Sequence, residues 1–308
     1  MASPSDKVNM GKVKAVGIVS AGDMGSGIGS VLTNGGMEVV TSLDGRGDLT
    51  RLRAGEAGMR DVGSLDAVVE ACDVFLSVLV PAQATDLGQR VADAMHRTGA
   101  KPVYVECNAI SPKTVARIGE VIGPTGAMFV DAGIIGSPPK PAQAATRLYC
   151  SGPDTTAFEA LAEFGLNVRR AGPEIGQASG LKMVYAASTK GTTAVWTELL
   201  LGARALGMTG ALMAELAPET NDVSRKLIDN VPDMPRRARR WVGEMEEIAA
   251  TFEELGLTPR ILLGAADLYR LVSETPLADQ TSREPNPDLD SMLDLLVQHL
   301  RARKSLQI

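Results

Sequence analysis

Apolar residues in the first half of the chain fall in short, nearly unbroken runs. The clearest are "VKAVGIVS" (13–20), "MEVVTSL" (37–43), "DVFLSVLV" (73–80), "PVYVEC" (102–107), "AMFVDAG" (127–133) and "RLYCSG" (147–152). Runs with so little polar alternation suit parallel strands buried on both faces. Between them "SLDAVVEAC", "ATDLGQRVADAMH" and "SPKTVARIGEVI" repeat apolar residues at helical spacing. The alternation predicts an α/β domain built on a doubly wound parallel sheet.

Strand patterns stop near residue 173. "IGQASGLKMVYAASTKGTTAVWTELLLGARALG" reads as one long helix with Gly207 as its stop. Further helical patterns follow in "ALMAELAPE", "SRKLIDNV", "RRARRWVGEMEEIAATFEELG", "ILLGAADLYRLVSE" and "DLDSMLDLLVQHLRARK". The expected organisation is therefore an α/β domain over 1–172 and an all-α domain over 173–308. A length of 308 residues fits two domains.

Composition narrows the function classes. A net charge of −6 gives no basic field for nucleic acid. No apolar run approaches the roughly 18 residues that a membrane span requires. "MASPSDKVNMGK" lacks the apolar core of a secretory signal and reads as a short disordered tail. Cys72, Cys107 and Cys150 are dispersed within apolar stretches, as buried free thiols of a reducing cytoplasm would be. Only two histidines occur, without metal-ligand spacing, so no metal site is expected and an acid or base other than histidine is.

The chemistry begins at "VGIVSAGDMGSGIGSVL", where a strand turns into a helix through small residues. Gly22 would let the backbone approach a pyrophosphate, and Gly25 would let the helix pack on its strand. The helix N-terminus adds partial positive charge. Ser20 stands where the dinucleotide fingerprint has its first glycine, which serine can replace if its φ stays negative. Context makes this a Rossmann-type nucleotide site built from Ser20, Gly22, Asp23, Met24 and Gly25. Where NAD enzymes carry an acid after the second strand this chain has Leu43, with Asp44 one residue late. Ser42 and Arg46 could hold a 2′-phosphate, so NADP is expected, with NAD possible.

These residues resemble the β-hydroxyacid dehydrogenase superfamily, which includes 3-hydroxyisobutyrate and 6-phosphogluconate dehydrogenases and has imine reductases as relatives. "GDMG" (22–25) resembles its phosphate turn. "SVLVP" (77–81), with Leu79 and Val80, resembles the loop on the adenosine side. "ECNAISPKTVARI" (106–118), with Asn108, is similar to the segment near the nicotinamide. "FVDAGIIGSPP" (129–139) resembles the substrate loop, and "GQASGLKMVYAASTKG" (176–191) the interdomain helix with the catalytic lysine. The C-terminal half is similar to a narrower subgroup whose helical domain has no known function.

The resemblance implies an NAD(P)-dependent dehydrogenase with Lys182 as general acid/base. Tyr185 is a rival proton donor. Gly133, Ile135, Gly136, Ser137 and Lys190 are candidate substrate contacts. The family's loop proline falls on Gly133, its serine on Ile135, and its asparagine after the lysine on Ala186. This erodes a carboxylate-binding pattern and points to a small polar hydroxy compound or its keto form. The alternatives are an NADPH-dependent imine reductase and a non-catalytic nucleotide-binding protein. At about 100° per residue Tyr185, Ala186 and Thr189 fall within roughly 60° of Lys182, and Lys190 about 80° away. Apolar helices such as "ILLGAADLYRLV" make a homodimer the expected assembly. The basic run "PRRARRW" (235–241) reads as a solvated helix face.

Overall fold

A computed structural model of the chain describes residues 13–143, 145–217, 225, 228–281 and 284–305. The N-terminal tail and Ser224, Lys226 and Leu227 of "SRKLIDNV" lie outside them. The chain parts into two compact units, one ending at Lys182 and the other beginning at Met183. That division falls later than the boundary read from the sequence, because the first turns of the long helix pack on the sheet.

The first unit is an eight-stranded sheet of order β3-β2-β1-β4-β5-β6-β7-β8. Its strands are β1 (Ala15–Gly17), β2 (Glu38–Thr41), β3 (Arg60–Asp61), β4 (Val74–Ser77), β5 (Val103–Glu106), β6 (Phe129–Ile135), β7 (Arg147–Ser151) and β8 (Asn167–Gly172). Pairing is parallel except between β6 and β7. The six apolar runs all became strands. β8 escaped the sequence reading because "NVRRAG" is a polar edge strand with no apolar run.

Side-chain alternation distributes the core over both faces. Val74, Leu76, Val103 and Val105 face Ile28 and Leu32 of α1 (Asp23–Asn34). Phe75 and Tyr104 face the opposite layer, α3 (Leu65–Ala71), α4 (Ala84–Thr98) and α5 (Pro112–Ile122). α2 (Asp48–Glu56) lies between β2 and β3 in sequence. Register sets Phe75 beside Tyr104 and Tyr104 beside Phe129, and their rings stack at 5.7 Å in both pairs.

Two residues farther along the same strands, Ser77, Glu106, Asp131 and Ser151 form a second registered row, and all four are buried. Burying polar groups is costly unless they bond to one another, and these do. Tyr104 Oη donates to Glu106 Oε2 at 3.2 Å, and Asn108 N donates to Glu106 Oε1 at 2.9 Å. Burial still raises the Glu106 carboxyl to about 8.

After α6 (Thr156–Glu159) and β8, the long helix starts as α7 (Gln177–Ala186). It does not continue in one period. Ala187–Gly191 form a π-turn before α8 (Thr192–Ala205), and Gly207 has φ +71°, as a helix stop requires. The angular count from Lys182 therefore fails beyond Ala186, for Thr189 and Lys190, because a π-turn holds more residues per turn. The second unit adds α9 (Thr209–Leu216), α10 (Ala238–Glu254), α11 (Arg260–Ser273) and α12 (Leu289–Ser305). Its core includes Leu200, Leu201, Met245, Ile248, Tyr269, Met292 and Leu296.

Two glycines of the first turn predict opposite outcomes. A Cβ on Gly25 would lie 1.9 Å from the Ser20 carbonyl oxygen, whereas one on Gly22 would meet nothing within 4 Å. Gly25→Ala is expected to lower unfolding free energy by about 1–3 kcal/mol, and Gly22→Ala by less than about 1 kcal/mol, in urea titrations.

The raised Glu106 carboxyl sets a pH dependence with a definite sign. Between its ordinary value near 4.5 and about 8, the unfolded chain has released this proton while the folded chain retains it. Stability from this residue is whole at low pH and falls across that window as pH rises. Wild type is expected to be more stable at pH 5 than at pH 8. The difference should shrink in Glu106→Gln, measured by denaturant midpoints.

Candidate functional site

The phosphate turn is formed by α1 and the end of β1. Ser20 keeps a negative φ, since Ala142 is the one non-glycine with positive φ among the described residues. Gly22 is the N-cap of α1 and carries no side-chain cap, so the first amides of the helix are left for another acceptor. Met24 packs on the core. Asp23 would repel a phosphate, but it pairs with Arg53 at 2.5 Å. Gly27 abuts the loop after β6, since a Cβ there would sit 2.8 Å from Pro139 O.

Beside this turn lie two adjoining cavities of about 310 and 230 Å³. Val19, Arg46, Leu87 and Arg90 line both. The larger adds Ser42, Asp44, Ser64 and Leu65, and the smaller adds Ser20, Leu79 and Asp86. Arg46 Nη2 donates to Val19 O at 3.2 Å, which fixes the guanidinium across the groove. Its loop is held by Arg51, which donates to Leu43 O at 2.7 Å and to Arg46 O at 3.0 Å. The Ser42 hydroxyl donates to Gly63 O at 3.0 Å. Arg90 of α4 was not singled out in the sequence, where "ATDLGQRVADAMH" shows only the helical spacing of its apolar residues. Its ion pair with Asp86 is long, at 3.7 Å. A groove with two guanidinium groups, the carboxylates of Asp44 and Asp86, leucine walls and an open helix N-terminus suits an NAD(P)-type nucleotide.

Asn108 is buried rather than presented to the groove. Its Oδ1 accepts from Leu79 N at 2.6 Å, and its Nδ2 donates to Ser77 Oγ at 2.8 Å and to Glu106 Oε1. It therefore fixes the Leu79 loop, and Val80 beyond it is exposed.

Lys182 sits on the sheet side of α7, and its Nζ donates to Ile134 O at the end of β6. Gly133 is covered by that helix: a Cβ there would lie 2.6 Å from Ala178 O and 2.9 Å from Lys182 Cβ. Gly133 thus allows the close packing of α7 on β6, and Ile135 is buried. Gly136, at φ +132°, and Ser137 are exposed on the loop that follows. The Ser137 carbonyl accepts from Thr146 Oγ1 at 2.5 Å.

The second unit holds the remaining candidates. Tyr185 is 44% exposed. Lys190 is buried in the π-turn, with its ammonium 2.7 Å from Glu244 and 5.8 Å from the Trp241 ring centroid. Glu244 also pairs with Arg240 at 3.0 Å. This ion pair ties the π-turn to α10, a structural task the sequence did not disclose.

No group of three metal-ligating side chains occurs among the described residues, and no helix among them is long and apolar enough to cross a membrane. Residues 15–165 match the NAD binding domain of 6-phosphogluconate dehydrogenase, and residues 203–272 match a domain of unknown function, DUF1932. The chain is 22% identical over 290 residues to glyoxylate/succinic semialdehyde reductase 2, chloroplastic, of Arabidopsis thaliana, spanning 90% of this chain and 80% of that one. Its fold is shared with 3-hydroxyisobutyrate dehydrogenase of Mycobacterium tuberculosis, at TM-score 0.65 and 16% identity over 94% of this chain and 99% of that one. The conserved protein MTH1747, of unknown function and structurally similar to 3-hydroxyacid dehydrogenases, is 31% identical, with TM-score 0.63 over 84% of this chain and 97% of that one. The chain therefore belongs to the family that joins a 6-phosphogluconate dehydrogenase-type NAD-binding domain to a C-terminal DUF1932 domain and is structurally similar to the 3-hydroxyacid dehydrogenases.

Proposed function

We propose that the protein is an NADP-dependent oxidoreductase acting on a small polar hydroxy compound or its keto form. Lys182 is the general acid/base. The observation that carries this reading is the ammonium of Lys182 held on Ile134 O, at the C-terminal end of a sheet whose nucleotide turn is intact. Ligands of doubly wound sheets bind at those strand ends.

A nicotinamide supplies or accepts the hydride when bound. The chain's own residues do the rest. The α1 amides beyond Gly22 hold phosphate, and Arg46 and Arg90 favour a 2′-phosphate. Lys182 gives a proton to the carbonyl oxygen in reduction and takes one from the hydroxyl in oxidation. An ammonium is already the acid form, so reduction asks less of it. The exposed Gly136 and Ser137 are the substrate-loop groups free to meet a polar substrate. The three buried thiols suit a reducing compartment.

The assembly proposed is a homodimer formed by the helical unit. Leu206 and Ile261 are 75% and 71% exposed there, and Val195, Met208, Leu255 and Leu257 are exposed with them. A second copy would remove that apolar surface from water. Light scattering at micromolar concentration should give twice the chain mass, and a monomer mass would refute the assembly.

Two sets of variants check the chemistry. Arg46→Ala and Arg90→Ala should each weaken NADP binding by about 10–100-fold, as loss of a charge-assisted hydrogen bond does. NAD binding should change little, and equal losses for both nucleotides would remove the arginines from the 2′-phosphate. Turnover should be screened with NADPH against panels of aldehydes, ketones and imines. On the substrate found, Lys182→Met should lower kcat by about 10²–10⁴-fold at nearly unchanged NADP affinity. Normal turnover in that variant with collapse in Tyr185→Phe would transfer the proton to Tyr185 and favour imine reduction.

A further inference from the structure

α7 begins without a cap of its own. Its N-cap position is Gly176, which has φ +100° and no side chain. The first amides of a helix need acceptors from elsewhere, and here they come from the sheet. Asp131 Oδ2 on β6 accepts from Gly176 N at 3.0 Å, from Ser179 N at 3.0 Å and from Ser179 Oγ at 3.2 Å. Ser151 Oγ on β7 donates to the same oxygen at 3.0 Å and accepts from Ala178 N at 2.9 Å. Asp131 is fully buried, so nothing in solvent competes for these bonds.

The cap lies in line with Lys182. Asp131 holds the first turn, Gly133 receives Ala178 O and Lys182 Cβ without a gap, and Ile134 O receives the ammonium. Three near-consecutive positions of β6 thereby fix one face of α7. Along a strand of about 3.3 Å per residue, a slip of the first turn carries Lys182 off the Ile134 carbonyl. Burial raises the Asp131 carboxyl above its ordinary value, and the hydrogen bonds from Ser179, Ser151 and Gly176, together with the helix dipole, oppose that rise by favouring the charged form.

We propose that Asp131 is the positioning residue for Lys182. Its carboxylate docks the first turn of α7 on β6 and thereby sets the place and the proton affinity of the lysine. The inference rests on the reading of Lys182 as acid/base for its consequence in turnover, but not for its geometry.

The test uses the full chain with ¹³Cε-labelled lysine, the Lys182 signal being assigned by its loss in Lys182→Arg. Asp131→Asn keeps the side-chain shape and removes the charge. Its Lys182 titration midpoint is expected to move by about one pH unit, a tenfold change in proton affinity. The kcat–pH profile should move with it, kcat should fall at least tenfold, and KM for NADP should hold. Should that variant fail to fold, Ser151→Ala and Ser179→Ala each take one hydrogen bond from Oδ2 and carry the same test with a smaller shift. A folded variant with lowered thermal stability but an unmoved Lys182 titration would make Asp131 a structural cap only and overturn the proposal. If Lys182→Met retains full turnover, the acid/base reading falls, and the Lys182 titration in Asp131→Asn still decides whether Asp131 positions it.

Discussion

The registered row Ser77, Glu106, Asp131 and Ser151 is the constraint on which the first unit depends. It closes β4, β5 and β7 and crosses β6, two residues beyond the stacked rings of Phe75, Tyr104 and Phe129. Apolar side chains there would have packed as well. Polar ones bond outward into the connections instead. Through Asn108, Ser77 and Glu106 hold the Leu79 loop against the nucleotide groove. Through Ser179 and Gly176, Asp131 holds the start of α7. One buried row therefore anchors both the cofactor side and the lysine side of the candidate site, and the raised Glu106 carboxyl is the cost of drying it.

Charge is organised by the same economy of partners. Asp23, the one acid in the phosphate turn, is neutralised by Arg53. Arg51 is used on the carbonyls of the loop after β2 and leaves Arg46 to face the groove. Arg46 and Arg90 then stand across two cavities with leucine walls, so an anionic ligand meets two guanidinium groups beside the carboxylates of Asp44 and Asp86. A phosphate gains more from such paired guanidinium groups than from either one alone.

In the helical unit the basic run 235–241 is bound to acidic and carbonyl partners. Arg237 pairs with Asp233 at 2.5 Å, Arg239 with Asp279 at 2.6 Å, and Arg236 donates to Thr281 O and Glu284 O. It fastens α10 to the polar connection ahead of α12. Lys190, Glu244, Trp241 and Tyr269 surround the π-turn, with Tyr269 Oη donating to Lys190 O. A π-turn costs backbone regularity, and this cluster holds it in place.

The sequence by itself determined the strand runs, the nucleotide turn, the helical second half and the lysine on α7. The first three are local patterns of apolar continuity, glycine spacing or helical period, and the lysine came from the resemblance of "GQASGLKMVYAASTKG" to the family's interdomain helix. It could not show β8, whose polar residues pair only because β7 is beside them. It could not show that Gly133 and Asn108 serve packing and loop anchoring, since both roles need a partner strand or helix. Arg90 and Asp131 carried no signal, because one looked like a solvent arginine and the other like any strand aspartate. Only the tertiary structure turned them to the groove and to the helix cap. Register between strands and the docking of a helix on a sheet bring together residues dozens of positions apart, and no short-range pattern encodes that distance.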